Sequence, residues 1–431
     1  MRRSIRAALL MTLIAGAATA CQAQDSQGPD EGSEPGGPSE SLEGATDEPD
    51  EAPGADEQPN EGDPETFTIF SSGDVLPHDA VIAAAAQEDG GHDFVEQLSG
   101  VQHWIEGADL ALCGLEVPIA PPGTEPVGYP VFGAPEGLAE SLAEVGFDGC
   151  ATATNHSLDM GMEGLEHTLV TLDSAGLGHA GTARTEEEAA EPQLYTLERG
   201  GREIVVAHVA NTQIHNDPFY PPQDAPWAVS DGSPDELSAL AEQARSDGAD
   251  LVIASVHWGE EYAHSPNDQQ RDYAAQLADG GQIDLVFGNH THTPQPMEEL
   301  QGGPEDEGMW VTWSLGNFFA NQDEECCIPE TAVGVMAFAE AQADEEGARI
   351  TGMSWSPVTV DREGASRDDE VFRGIYPLAE LMDGEHSHDI PQDALESRWE
   401  RVLEVVGEEQ LISEAPEAAG ESPEVHRRSA R

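Results

Sequence analysis

The sequence predicts a mixed α/β fold over 66–408, two sheets packed together under outer helices, as one large domain or two smaller ones. Three observations carry this. Short apolar runs alternate with segments of helical spacing from Phe67 to Phe287, the rhythm of βα units. Strands then dominate to about residue 358. Five of the apolar runs end in a carboxylate, an amide or imidazoles, at the strand edge where open α/β sheets bind ligands.

In chain order, Phe67-Thr68-Ile69-Phe70 reads as the first strand, followed by a helix over 79–87. Asp93 to Ile105 reads as one helix and Asp109 to Leu115 as a strand. Pro135 to Val145 is helical, with Leu138, Leu142 and Val145 on one face. Phe147 to Ala153 is a strand, and Glu163 to Ala175 a helix closed by Gly176. A hairpin is expected over 193–209 around Gly200-Gly201. Helix 234–246, strand 250–256, helix 268–279 and strand 283–287 repeat the rhythm. Strands at 309–315, 332–339 and 349–358 precede an amphipathic helix near 393–406.

The flanks read differently. Residues 1–21 open on Met-Arg-Arg-Ser-Ile-Arg, continue through a short apolar run, and close on Ala18-Thr19-Ala20-Cys21. That is the pattern of a secretory signal, and the small residues before Cys21 resemble a bacterial lipobox. The resemblance implies lipidation of Cys21 and a place on the outer face of the cell membrane. A plain signal peptide cut near Ala20 is the alternative. Residues 22–65 are Gly, Pro, Ser and acids, too polar to offset their ordering entropy, and read as a disordered acidic tether. Residues 409–431 read as a polar tail ending near Arg427, Arg428 and Arg431.

Of 431 residues, 85 are Asp or Glu and 17 are Lys or Arg, giving a formal charge of −68. Arginine carries every basic side chain, as there is no lysine. Such a chain repels phosphate backbones, which excludes nucleic acid as a partner outside a local metal site. Apart from Cys21 there are Cys113, Cys150, Cys326 and Cys327, which allow three pairings that sequence does not separate. Cys326-Cys327 is either a vicinal bridge or half of two longer ones.

The chemistry sits at the strand ends. Asp74, Glu116, Asn155-His156, His257, and His290 with His292 each follow an apolar run. Carboxylates, amides and imidazoles together suit Mn, Zn, Fe or Mg, one or two ions. Two such ions bridged by a shared acid activate water and clamp a phosphoryl or acyl group. Taken singly, Asp74 reads equally as a turn cap, Glu116 as a solvated acid, Asn155 as a turn residue and His257 as a hydrogen-bond partner. Together at five strand ends they read as one site. His386-Ser387-His388-Asp389 lies in a polar stretch and reads as solvated loop. Ser314 to Phe319 reads equally as pocket lining or turn.

As an ordered set, Gly73-Asp74-Val75-Leu76-Pro77-His78-Asp79, Gly114-Leu115-Glu116, Ala153-Thr154-Asn155-His156-Ser157-Leu158-Asp159-Met160-Gly161, His257-Trp258-Gly259, His290-Thr291-His292-Thr293-Pro294-Gln295-Pro296 and Ser314-Leu315-Gly316-Asn317-Phe318 resemble the CapA family of poly-γ-glutamate capsule synthesis proteins, from about 66 to 360. The resemblance implies a calcineurin-like metallophosphatase fold, a four-layer α/β/β/α sandwich. It implies Asp74, Glu116, Asn155, His257, His290 and His292 as metal ligands, with His156 the catalytic partner of Asn155. His78 stands in for the His that the wider superfamily carries at the position of Leu76. Thr154 and Gly114 stand where many relatives have Asn. The function implied is support of synthesis or export of poly-γ-glutamate or a related anionic polymer, in the company of a membrane polymer-synthase complex. A surface metal-dependent phosphoesterase and a non-catalytic polymer-gripping scaffold are the rival readings.

Overall fold

The computed structural model describes residues 64–345, 347–362, 366–367 and 370–428. The export signal, Cys21 and nearly all of the tether lie outside them.

Two sheets face each other. The strands in chain order are β1 (Glu65–Val75), β2 (Leu110–Leu115), β3 (Gly149–Ala151), β4 (Gly178–Ala180), β5 (Gln193–Arg199), β6 (Arg202–Thr212), β7 (Leu251–His257), β8 (Leu285–Asn289), β9 (Met297–Leu300), β10 (Met309–Thr312), β11 (Asn317–Phe319), β12 (Val333–Ala343), β13 (Ala348–Val360), β14 (Ile375–Pro377) and β15 (Glu424–His426). The first sheet runs β14-β13-β12-β1-β2-β3-β4, with β11 beside the far end of β1. The second runs β15-β5-β6-β7-β8-β10-β9. In each sheet the central strands are parallel, β1 to β4 in one and β6, β7, β8 and β10 in the other.

Side-chain alternation makes the layers. On β1, Phe67 and Ile69 join Leu112, Val206, Ile253 and Phe287 between the sheets, while Phe70 faces the other way. The outer face of the first sheet is covered by α1 (Asp79–Ala84), α2 (Val95–Leu98), α3 (Gln102–Glu106) and α4 (Gly137–Glu144), through Val81, Leu98, Trp104 and Leu138. α5 (Gly161–Ala175) adds Leu165 and Leu169 beside the end of β3. On the second sheet, after the short α6 (Glu186–Ala189), α7 (Pro234–Ser246) and α8 (Asp268–Gly280) cover Val209, Val252 and Val286 with Leu237, Ala241, Tyr273 and Leu277. The order is α/β/β/α, as expected. Both covering helices open on full capping boxes, Ser233 with Glu236 and Asn267 with Gln270, which satisfy free N–H groups and fix where each helix starts.

Several expected elements differ. The helix expected over Asp93 to Ile105 breaks into α2 and α3 at Ser99-Gly100. There the chain passes so close to the Ile375 carbonyl that a Cβ on Gly100 would lie 2.4 Å from its oxygen. The strand expected over 309–315 stops at Thr312, and β4, β9 and β11 were not foreseen because each has four residues or fewer. The segment after 408, read as a tail, returns to the fold. Its β15 pairs with β5, and the Ala419 and Gly420 N–H groups donate to Asp109. Arg428 is buried, its guanidinium donating to the carbonyls of His179, Thr182 and Glu188. Backbone pairing, Arg428 and the scattered apolar residues Leu411, Ile412, Ala415 and Val425 dock this segment, a set with no period for the sequence to show. Following α9 (Leu378–Asp383), α10 (Gln392–Val406) lies where the last amphipathic segment predicts a helix.

Of the three cysteine pairings the structure has Cys113–Cys150, which face each other in register on β2 and β3. Cys326 and Cys327 are free.

Candidate metal centre

The carboxyl ends of β1, β2, β3, β7 and β8 meet at one edge of the sandwich. Asp74 is the penultimate residue of β1, and Glu116 follows β2 directly. Asn155 and His156 lie in the turn after β3, His257 closes β7, and His290 and His292 follow β8. All are buried. The segment leading into β11 can pass this close to Asp74 because Gly73 has no side chain: a Cβ there would stand 2.0 Å from the Gly316 oxygen.

Two groups of three donors form, both sharing Glu116. One is Glu116, His257 and His290; the other is Asp74, Glu116 and His292. The His257 Nε2 lies 3.6 Å from Glu116 Oε1 and 3.2 Å from His290 Nδ1. The His292 Nδ1 lies 3.4 Å from Asp74 Oδ2 and 3.8 Å from Glu116 Oε2. Asn155 joins the first group through its Oδ1, 2.8 Å from His257 Nε2. His290 and His292 hold φ of 99° and 58°, a left-handed backbone that costs a β-carbon residue energy and concentrates at functional sites.

The donor set fits divalent ions. Asp74 Oδ1 and both Glu116 oxygens are buried with no hydrogen-bond partner, a costly condition for carboxylates unless a cation faces them. Burial and the neighbouring Glu116 push the Asp74 carboxyl up. Burial also acts to raise Glu116, but His292 and His257 outweigh it and hold that carboxyl low, at about 2. Burial works against the His292 imidazolium, yet Glu116 and Asp74 raise it to about 10. Two acids thus gather positive charge at the spot where a metal ion would sit. His290 moves down instead, through burial and the adjacent His257, and so stays neutral, the form that ligates.

The remaining residues take distinct places. His156 sits beside the groups, its Nδ1 2.7 Å from Asp159 Oδ2 and its ring edge-on to Phe132 at 4.8 Å. Asp159 fixes the Nδ1–H tautomer and leaves Nε2 for a substrate. His78 belongs to neither group. It opens α1 after the chain has left β1, and its Nδ1 donates to the Leu76 carbonyl at 2.8 Å. Burial lowers it to about 4. His386 Nε2 is engaged elsewhere, hydrogen-bonded to Glu380 Oε2 at 2.6 Å.

Four supporting residues escaped the sequence reading as site residues. Asn216 Oδ1 accepts from Asn155 Nδ2 at 3.3 Å, and the Asn216 amide nitrogen lies 3.4 Å from His156 Nδ1. Asn317 Oδ1 accepts from His292 Nδ1 at 3.1 Å. Asp159 orients His156, and Asn289 fills the space a side chain at position 114 would take, its Nδ2 2.4 Å from a Cβ built on Gly114. Asp159 and Asn317 lie within recognised motifs, whereas Asn216 sits on a loop with no pattern to single it out.

Comparison with known proteins places the chain in a family. The model of the bacterial capsule synthesis protein family PGA_cap matches residues 68–322. The chain belongs to that family. The PGA biosynthesis protein CapA of Bacillus subtilis is 28% identical over 181 residues, 42% of this chain and 44% of that protein. A probable polyglutamine synthesis accessory protein of Mycobacterium tuberculosis is 33% identical over 162 residues, 36% of this chain and 42% of that one. The match thus spans less than half the length of these curated relatives. Among solved structures, a 5'-nucleotidase precursor from Thermus thermophilus covers 79% of this chain and 58% of its own, at 12% identity and a TM-score of 0.42. The calcineurin-like phosphoesterase YfkN from Bacillus subtilis covers 78% and 100%, at 14% identity and a TM-score of 0.39.

Proposed function

We propose that this PGA_cap family chain is a cell-envelope lipoprotein that supports synthesis or export of poly-γ-glutamate or a related anionic capsule polymer through a divalent-metal centre. The observation that carries the metal is the unpartnered Glu116 carboxylate, buried between His257 and His292. Asp74, Glu116 and His292 would hold one ion, and Glu116, His257 and His290 with Asn155 a second. Such ions supply Lewis acidity toward a phosphoryl or acyl oxygen and acidify water. The polymer assignment rests on family membership and on the names of the relatives.

The chain's own residues add a proton donor. Asp159 holds the His156 ring in one tautomer, and Phe132 limits its rotation. His156 Nε2 is then placed to give a proton to a leaving group or to polarise the scissile bond. This dyad favours hydrolysis over a purely structural centre, so a metal-dependent phosphoesterase is the second reading.

Elemental analysis of the full-length chain after reconstitution with Mn, Zn or Fe and dialysis tests the centre. The wild type should retain metal, and the double variant His290→Ala with His292→Ala should lose it while keeping its circular dichroism. Equal metal in both, or none in the wild type, refutes the centre. Turnover of a model phosphate ester would favour the phosphoesterase; binding of polyglutamate without turnover would favour a scaffold. The anchor is tested separately: Cys21→Ser should move the protein out of the membrane fraction, and retention there with normal processing refutes lipidation.

A further inference from the structure

Cys326 and Cys327 take no part in the centre described above, yet they sit at its rim. The only other cysteines among the described residues are bonded to each other. Cys326 is exposed and Cys327 half-buried, with their sulfurs 2.7 Å apart. The turn that carries them keeps both on one side: the Cys327 N–H donates to the Asp323 carbonyl at 2.9 Å, and the Cys326 thiol reaches the same oxygen at 3.5 Å.

Two routes join this turn to His292. The Tyr262 hydroxyl lies beside the Cys327 sulfur, and the Tyr262 ring lies 6.3 Å from the His292 ring. Tyr262 is itself held by its N–H on the Thr291 carbonyl at 2.7 Å, with φ of 67°. On the other side, Gln322 Oε1 accepts from Asn317 Nδ2 at 2.9 Å, and Asn317 is the hydrogen-bond acceptor for His292.

We propose that Cys326 and Cys327 are a reversible oxidation site, closing into a disulfide between neighbouring residues at the rim of the metal centre. A low-molecular-weight disulfide such as oxidised glutathione is the oxidant. The exposed Cys326 thiolate attacks one glutathione sulfur, the glutathione S–S bond breaks, and one glutathione thiolate leaves. Cys327 then loses its proton, its sulfur displaces the second glutathione from Cys326, and the two protons end on the two released thiols. Burial and the adjacent Cys326 push the Cys327 thiol up to about 11, which suits the second, resolving role. Adjacent Cα atoms stand about 3.8 Å apart across a trans peptide, closer than most disulfides allow. The closed form therefore belongs to the readily reduced class. Closure also exchanges the thiol that Tyr262 contacts for a poorer acceptor, beside His292.

The test uses the metal-free full-length chain, so its outcome is independent of the centre being loaded. The protein is treated with oxidised glutathione, alkylated with N-ethylmaleimide, digested, and the peptide containing 326–327 is weighed. The expected wild-type peptide has lost two hydrogens and carries neither glutathione nor maleimide; prior reduction restores two maleimides. Cys327→Ser should instead trap glutathione on Cys326. A persistent glutathione adduct on the wild type, a cross-linked dimer through Cys326, or full alkylation after oxidation overturns the proposal.

Discussion

The carboxylate of Glu116 faces His257 on one side and His292 on the other, so both donor groups depend on it. His290 belongs to one group only. Glu116→Gln should therefore strip nearly all bound metal, whereas His290→Ala should leave about one ion per chain where the wild type keeps about two. Elemental analysis after dialysis distinguishes these outcomes, and equal losses in the two variants would mean a single shared ion. A second residue-scale prediction concerns Asp159. Asp159→Asn keeps the shape but removes the charge that orients His156, so any phosphoester turnover should fall by about 10-fold to 100-fold at unchanged metal content. Most of this centre was legible in the sequence, because its ligands follow apolar strands and each motif is local. His78 was not, since a histidine four residues after Asp74 can reach the centre or turn to the Leu76 carbonyl, and only the backbone path past Pro77 decides. Asn216 was invisible for a different reason: it reaches Asn155 and His156 from a loop some sixty positions away.

Among the strands, one device recurs. Asp109, Asp148, Asp250 and Asp284 each stand just before a parallel strand and grip the preceding one twice. Their N–H groups donate to the carbonyls of Thr68, Ala111, Val205 and Val252, and their carboxylates accept from the N–H groups of the same four residues. Three of these acids pair with an arginine: Asp109 with Arg199, Asp250 with Arg202 and Asp284 with Arg245. No arginine faces Asp148 in an ion pair among the described residues, and burial pushes its carboxyl up to about 7. Because its folded value lies above its unfolded one, stability attached to this group is whole below about pH 4 and declines as pH rises toward 7. Asp148→Asn keeps an acceptor for the Ala111 N–H and removes that decline. The variant should gain about 1–2 kcal/mol over the wild type at pH 8 and little at pH 4, as read by urea unfolding. A gain that is equal at both pH values would locate the effect elsewhere. The Cys113–Cys150 bridge ties the same two strands, β2 and β3. Its removal by Cys113→Ala with Cys150→Ala should cost about 2–4 kcal/mol in the same assay. The apolar runs that follow these acids made the strands readable in the sequence, whereas β4, β9 and β11 are too short for periodicity to register. The docking of β15 was hidden because backbone pairing, Arg427, Arg428 and a single apolar residue, Val425, carry it.

At the scale of the whole molecule, a formal charge of −68 sets terms for any anionic polymer. The chain repels a polyanion at long range, and the repulsion is strongest where salt is low. Attraction, in the function proposed, is confined to the metal centre, where bound cations would offset Asp74 and Glu116 and leave positive charge to meet a carboxylate. The two contributions respond to salt differently. Screening shortens the reach of charge from about 30 Å at 0.01 M salt to about 8 Å at 0.15 M, weakening the diffuse repulsion far more than a direct contact with a bound ion. Polyglutamate should therefore bind the metal-loaded protein more tightly at 0.15 M than at 0.01 M monovalent salt, the reverse of the usual trend for a polyanion on a basic surface. Chelation, or Glu116→Gln, should remove the binding at both salt concentrations. Titration calorimetry with polyglutamate into the full-length, metal-reconstituted chain makes the comparison. Affinity that falls with salt and survives chelation would place the contact on arginines instead, and the metal centre would then have no part in gripping the polymer.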